Sequence, residues 1–201
     1  MPKIKLTKSE LKHQRDSLKQ FQRFLPTLQL KKQQLQLEIR KCEAKTEKLR
    51  EEEKNLEDAV LKWIEIFSMS DLSEKIPQII QIKNIVTSNV NIAGLDVPVL
   101  ERLDFDEKEY DLFETPPSLD DAIEFLKKSL KIHVERMIVE KQLELITNEL
   151  RTTSQRVNLF EKVKIPEAKD SIRMIQIYLG DEDTAAVGRS KIAKRKMTEA
   201  A

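Results

Sequence analysis

The sequence predicts a mainly α fold: a long antiparallel two-helix coiled coil formed by its N- and C-terminal helices, with a small β-hairpin or irregular knob in the middle. Three observations carry that expectation. With 35% charged residues, 5% aromatic residues and three glycines among 201 residues, the chain has too little apolar bulk and too few turns for an ordinary globular core. Apolar residues recur at heptad spacing in both the first and last thirds of the chain, the pattern of helices that bury a narrow seam against one another. Between these stretches, prolines and β-branched residues replace the heptads.

The first helix opens at Thr7-Lys8-Ser9-Glu10. This is capping-box spacing, in which hydroxyl and carboxylate each satisfy an orphan amide. One seam position then takes Leu11, Leu18, Leu25, Ile39, Val60 and Phe67, and its partner position takes Phe21, Leu28, Leu35, Cys42, Leu49, Leu56 and Trp63. Thirteen of the eighteen seam positions from 11 to 70 are apolar, against 39% of the whole chain. A period near 3.5 implies a left-handed supercoil, about 90 Å long at roughly 1.5 Å per residue. Pro26 lacks the amide that a helix interior requires, so a kink near residues 22–26 or a short separate first helix is expected. Phe24, Leu30 and Leu37 fall outside the seam and leave apolar surface for a partner.

Residues 68–117 hold Pro77, Pro98, Pro116 and Pro117, and carry four basic against ten acidic side chains. Two β-prone runs, Ile79 to Val86 and Val90-Asn91-Ile92, flank Thr87-Ser88-Asn89 and precede Ala93-Gly94-Leu95-Asp96. They suggest the hairpin or knob, with Pro98 holding the chain extended.

The second helix starts at Ser118-Leu119-Asp120-Asp121. Its apolar series runs Ile123, Leu126, Leu130, Met137, Leu143, Ile146, Leu150, Val157 and Phe160, then slips by one residue to Ile165, Ala168, Ile172, Ile175 and Leu179, with Pro166 at the slip. Such a slip changes the supercoil locally, and the proline supplies a cause for a bend. Gly180 marks a stop. The chain thus reads as an N-terminal helix (1–67), a middle region (68–117), a C-terminal helix (118–180) and a basic tail (181–201). Antiparallel pairing of the two helices would gather the basic termini at one tip, since residues 1–32 carry nine basic and two acidic side chains and 184–201 carry five and one.

The functional signals are mostly absences. No phosphate-binding glycine loop occurs, and His13, His133 and Cys42 are scattered without metal-ligand spacing, so no cofactor, metal or catalytic residue is expected. Glu51-Glu52-Glu53 reads as a solvated helix face. A formal net charge of +1 gives the chain as a whole no electrostatic reason to seek nucleic acid. A single cysteine points to a reducing, cytoplasmic location, and no apolar run approaches the roughly 18 residues of a spanning helix. The tail residues Lys191, Lys194, Arg195 and Lys196 form the most prominent basic patch, read either as a disordered solubilising tail or as a protein-docking tip, with nucleic acid or anionic lipid less favoured for want of aromatic residues to stack.

Three stretches resemble the D-subunit family of V-type and archaeal A-type rotary ATPases. They are Leu6 to Leu11 with Leu28 to Ile39, Asn91 to Glu101, and Glu149 to Glu161 continuing to Ile165-Pro166. The resemblance implies a central rotor shaft that catalyses nothing itself and couples ATP hydrolysis or synthesis to rotation and proton or sodium transport. It implies contacts with the catalytic and non-catalytic nucleotide-binding subunits of the ring, the small F subunit of the rotor and the funnel-shaped membrane-proximal subunit. It also implies a cytoplasmic place peripheral to the membrane, without direct insertion. Arg151, Arg156, Asn91, Ile92, Gly94 and Pro98 lie in the matching stretches and join the tail lysines and arginine as candidate partner-binding residues. The rival readings are an unrelated coiled-coil adaptor or tether and, less favoured, a nucleic-acid-associated protein using its basic ends.

Overall fold

A computed structural model describes residues 5–61, 79–108 and 118–199. The elements are helix α1 (Lys8–Leu61), strands β1 (Ile80–Ile92) and β2 (Leu95–Glu107), helix α2 (Ser118–Leu159), a π-helical turn (Phe160–Lys164) and helix α3 (Ile165–Glu199). Trp63, Phe67, Pro77, Pro116, Pro117 and most of the acidic stretch beyond Lys108 lie outside the described residues. The chain divides into two compact units, one from the described parts of Met1–Lys32 and Thr152–Ala201 and the other from Gln33–Arg151.

At the start of α1 the Glu10 amide donates to Thr7 Oγ1 at 3.3 Å, which is half of a capping box. The Glu10 carboxylate instead accepts from Gln14 Nε2 at 2.8 Å. Pro26 neither ends nor divides the helix, contrary to the expectation of a separate first segment. One missing backbone hydrogen bond is a small loss in a helix of 54 residues that is held by packing along its length.

In the Gln33–Arg151 unit, Leu35, Cys42 and Leu49 of α1 pack with Val139 and Ile146 of α2 and Val97 of β2. The helices run antiparallel: Cys42 Sγ lies 3.9 Å from Gln142 Oε1, whereas eleven residues further along α1 Glu53 reaches back to His133 at 2.9 Å, with Lys45–Glu135 (2.7 Å) and Arg50–Glu140 (3.2 Å) as further ion pairs between the same helices. A second cluster joins Ile80 with Leu119 and Ile123, flanked by Phe105 and Leu126. The hairpin therefore lies along α2, fastened near both of its ends. Gln142 Nε2 also donates to the Pro98 carbonyl, and Lys127 pairs with Glu107 at 2.7 Å.

The hairpin is longer than its sequence suggests. Thr87-Ser88-Asn89 is not a turn but the middle of β1, paired with Leu100, Val99 and Pro98. The reversal occurs at Ala93 and Gly94, with φ of 51° and 79°, the left-handed pair that a two-residue hairpin turn requires. Asn91 Oδ1 accepts the Gly94 amide at 3.0 Å, and its Nδ2 donates to Asp96 at 2.6 Å. Register irregularities occur between Ile82 and Asn84 and between Val86 and Thr87. The first leaves Lys83 unpaired on β1 and the second leaves Glu101 unpaired on β2, so the two offsets cancel and the pairing closes in register.

In the other unit Phe21 stacks on Phe160 at a centroid distance of 5.4 Å. The π turn begins at that ring, and the Ile165 amide bonds to the Phe160 carbonyl five residues back. A π turn inserts one residue into an α-helix, which is the one-residue slip in the apolar series. Pro166 has no amide for an α-type bond and its ring would press on the preceding turn, so the widening falls next to it. Beyond it Ala168, Ser171 and Ile175 are buried. The helix then passes Gly180 without stopping and reaches Glu199. A Cβ at Gly180 or Gly188 would meet nothing, and a lone glycine lowers helix propensity without breaking a helix.

Candidate functional site

Lys191, Lys194, Arg195 and Lys196 are exposed on α3, as is every residue from Gly180 to Glu199. Arg195 Nε lies 3.3 Å from Glu199 Oε1 one turn on, and Val187, Ile192 and Met197 are 54%, 56% and 75% exposed on the same stretch. Twenty consecutive helical residues are thus exposed, with apolar side chains among basic ones.

Arg151 and Arg156 are exposed on α2. Asn91 and Gly94 are used by the hairpin turn itself. Ile92 packs against the core cluster, and Pro98 is partly buried with its carbonyl taken by Gln142. The hairpin residues thus hold the turn and dock it on α2. The tail cations lie in the first unit and the hairpin residues in the second.

Among the predicted seam residues, Leu35, Leu49, Val157 and Ile175 are buried, while Leu11, Leu18, Leu28, Ile39, Leu56, Leu150, Ile172 and Leu179 are partly buried. Met137 does not belong to the seam: it is 55% exposed, and Val134 and Val139 are buried instead. Counting back by sevens from Val157 through Leu150 and Leu143 reaches Arg136, one residue short of Met137. Phe24, Leu30 and Leu37 are 53%, 59% and 52% exposed.

Glu53 is not part of a solvated acidic face. Its carboxylate lies 2.9 Å from His133 Nδ1 and 2.8 Å from Arg136 Nε, with side-chain exposures of 21% for Glu53 and 20% for Arg136. The Arg136 Nε makes no well-aligned hydrogen bond, so its contact with Glu53 is chiefly electrostatic. Arg136 Nη1 donates to Glu140 Oε1 at 2.9 Å, and the same oxygen accepts from Arg50 Nη2 at 3.2 Å. The His133 hydrogen bond, aided by the Arg136 charge, holds the Glu53 carboxyl below its ordinary range. Burial works against ionisation of Glu140, but hydrogen bonds from Arg136 and Arg50 outweigh it and its carboxyl is lowered too. Burial, followed by the Glu38 charge, pushes the Cys42 thiol up, which suits an inert packing role. The sequence signal for this cluster was present: sevens from Leu11 through Ile39 reach Thr46 and then Glu53.

Among the described residues no group of three or more His, Cys, Asp or Glu could hold a metal ion, and no helix is long and apolar enough to cross a membrane.

A family model for the D subunit of ATP synthase matches residues 10–195. A protein of Borreliella burgdorferi, named as the D subunit of a V-type ATP synthase, is 49% identical over 199 residues, covering 98% of this chain and 96% of the relative. Proteins of the same name from Chlamydia muridarum and Chlamydia trachomatis serovar L2 are 34% and 33% identical over 198 residues, each covering 98% of this chain and 97% of the relative. The matched span takes in both long helices, the hairpin and the basic end of α3, and by it the chain belongs to the D-subunit family of ATP synthases.

Proposed function

We propose that this chain is the non-catalytic central-stalk shaft of a V-type ATPase or ATP synthase, coupling nucleotide turnover in a ring of other subunits to rotation and ion transport. The observation that carries this reading is the near-complete span of the match to proteins named as D subunits of V-type ATP synthases. The ring, formed by catalytic and non-catalytic nucleotide-binding subunits, holds the nucleotides. The exposed basic stretch of α3 with Lys191, Lys194, Arg195 and Lys196 docks inside it, and Arg151, Arg156 and the hairpin face further partners. The small F subunit of the rotor binds beside the helix pair, and the funnel-shaped subunit joins the shaft to the membrane ring. The protein then works in the cytoplasm, peripheral to the membrane.

An antiparallel helix pair has no three-fold axis. Each site of a three-fold ring therefore meets a different face of the shaft, and rotation shifts each site's preferred conformation in turn through differential contacts. The chain itself needs stiffness and an asymmetric surface, not an active site.

The test is affinity purification of the tagged chain from gently solubilised membranes of its own source, with mass spectrometry and an ATPase assay. Two large nucleotide-binding subunits, each at about three copies per tagged chain, together with activity are expected. An eluate without them would return the adaptor reading to first place. A companion experiment neutralises the four tail cations, for which loss of assembly and of its salt dependence is expected; unchanged assembly would remove the tail from docking.

A further inference from the structure

The heptad seam of the Gln33–Arg151 unit carries charge at two positions where leucine would pack. Glu53 continues the α1 series and Arg136 continues the α2 series, and the two side chains meet across the helix pair at 2.8 Å. His133 flanks Glu53, Glu140 flanks Arg136, and Arg50 closes the chain of contacts back to α1. Five residues thus pass between the helices twice.

Apolar heptads specify axial offset weakly, because sliding one helix by a heptad, about 10 Å at roughly 1.5 Å per residue, sets Leu and Ile against Leu and Ile again. An ionic pair at one place in the seam is satisfied at one offset only. At any other offset Glu53 and Arg136 face apolar side chains as unpaired, partly buried charges.

We propose that the Glu53–Arg136 pair, held by His133, Glu140 and Arg50, is a register lock that fixes the axial offset of α1 against α2. The lock itself stands on the chain alone. Its mechanical consequence rests on the shaft reading: two helices that cannot slip transmit torque without losing rotation to sliding.

A pair that contributes only stability predicts a different outcome from one that sets register. Replacing both charges together by apolar residues often leaves stability unchanged or raises it. The experiment uses the full chain with Cys42→Ala, spin labels on Gln34→Cys and Lys128→Cys, and double electron–electron resonance. Gln34 and Lys128 are exposed and far apart along the pair, so axial slip changes their separation directly. The parent should show one narrow distance. Glu53→Leu with Arg136→Leu should keep or raise the melting temperature while a second distance, displaced by about 10 Å, appears in at least about a tenth of the molecules. A single unchanged distance in that variant overturns the proposal. Should the double variant lose its helical circular dichroism, Glu53→Gln is read in the same way: a second distance supports the lock and a single narrow one overturns it. A second distance in a chain that recovers no ATPase subunits would leave the lock standing and sink the shaft reading.

Discussion

Leu35→Ala offers the sharpest test of which α1 face is buried. Leu35 has no exposed surface and belongs to the buried cluster that also holds Cys42, Val139 and Ile146. The substitution removes three carbons, worth about 2.4 kcal/mol at roughly 0.8 kcal/mol per buried methylene. The cavity left by incomplete relaxation brings the expected loss to about 3 kcal/mol, within the roughly 2–5 kcal/mol of comparable core truncations. Alanine is the better helix former, so the loss cannot come from helix propensity. Leu30→Ala is the matched control on the same helix. Leu30 is 59% exposed, so its truncation should cost less than about 0.5 kcal/mol. The assay is urea unfolding followed by circular dichroism. With a slope of about 2 kcal/mol per molar, Leu35→Ala should lower the midpoint by about 1.5 M and Leu30→Ala by less than about 0.3 M. Equal shifts, or a larger shift at Leu30, would refute the assignment of the buried face.

Three further outcomes are expected. Because the Glu53 and Glu140 carboxyls are held below their ordinary value of 4.5, their stabilisation is complete above that pH and is lost as pH falls through the lowered values. The melting temperature should drop across that acid window, and Glu53→Gln should flatten the drop; a parallel curve for the variant would count against the cluster. Gly180→Ala and Gly188→Ala fill open space within α3, so each should stabilise the helix by about 0.5–1 kcal/mol, read as increased amide protection around residues 180–190. Deleting Val163 together with Pro166→Ala removes the extra residue of the π turn. The apolar series then runs in unbroken heptads, so burial of Ala168 and Ile175 should persist in hydrogen exchange, whereas inserting an alanine at 163 should expose them by rotating the face by about 100°.

The α1 seam was legible because heptad spacing is a local property: Leu35, Cys42 and Leu49 are buried where the count puts them. The slip at Pro166 was equally visible, although not its form as a π turn. The α2 face was misread at Met137 because an adjacent Arg136 is not recognised as a seam residue until a carboxylate stands opposite it. The hairpin's β-branched composition announced strands, but their extent depended on cross-strand pairing that carries Thr87-Ser88-Asn89 through the middle of β1.

Composition, period and turn chemistry by themselves determined two long helices with a small β insertion, and the matching stretches determined the family. Tertiary structure decided the rest. Pro26 costs one backbone hydrogen bond and Gly180 some helix propensity, and whether a helix survives either cost depends on the rest of its hydrogen bonds and packing. Glu53, His133 and Arg136 resemble any surface charges along the chain. Only the phase and offset of two antiparallel helices bring residues 80 or more positions apart to within 3 Å of one another, and make of them a single ionic cluster.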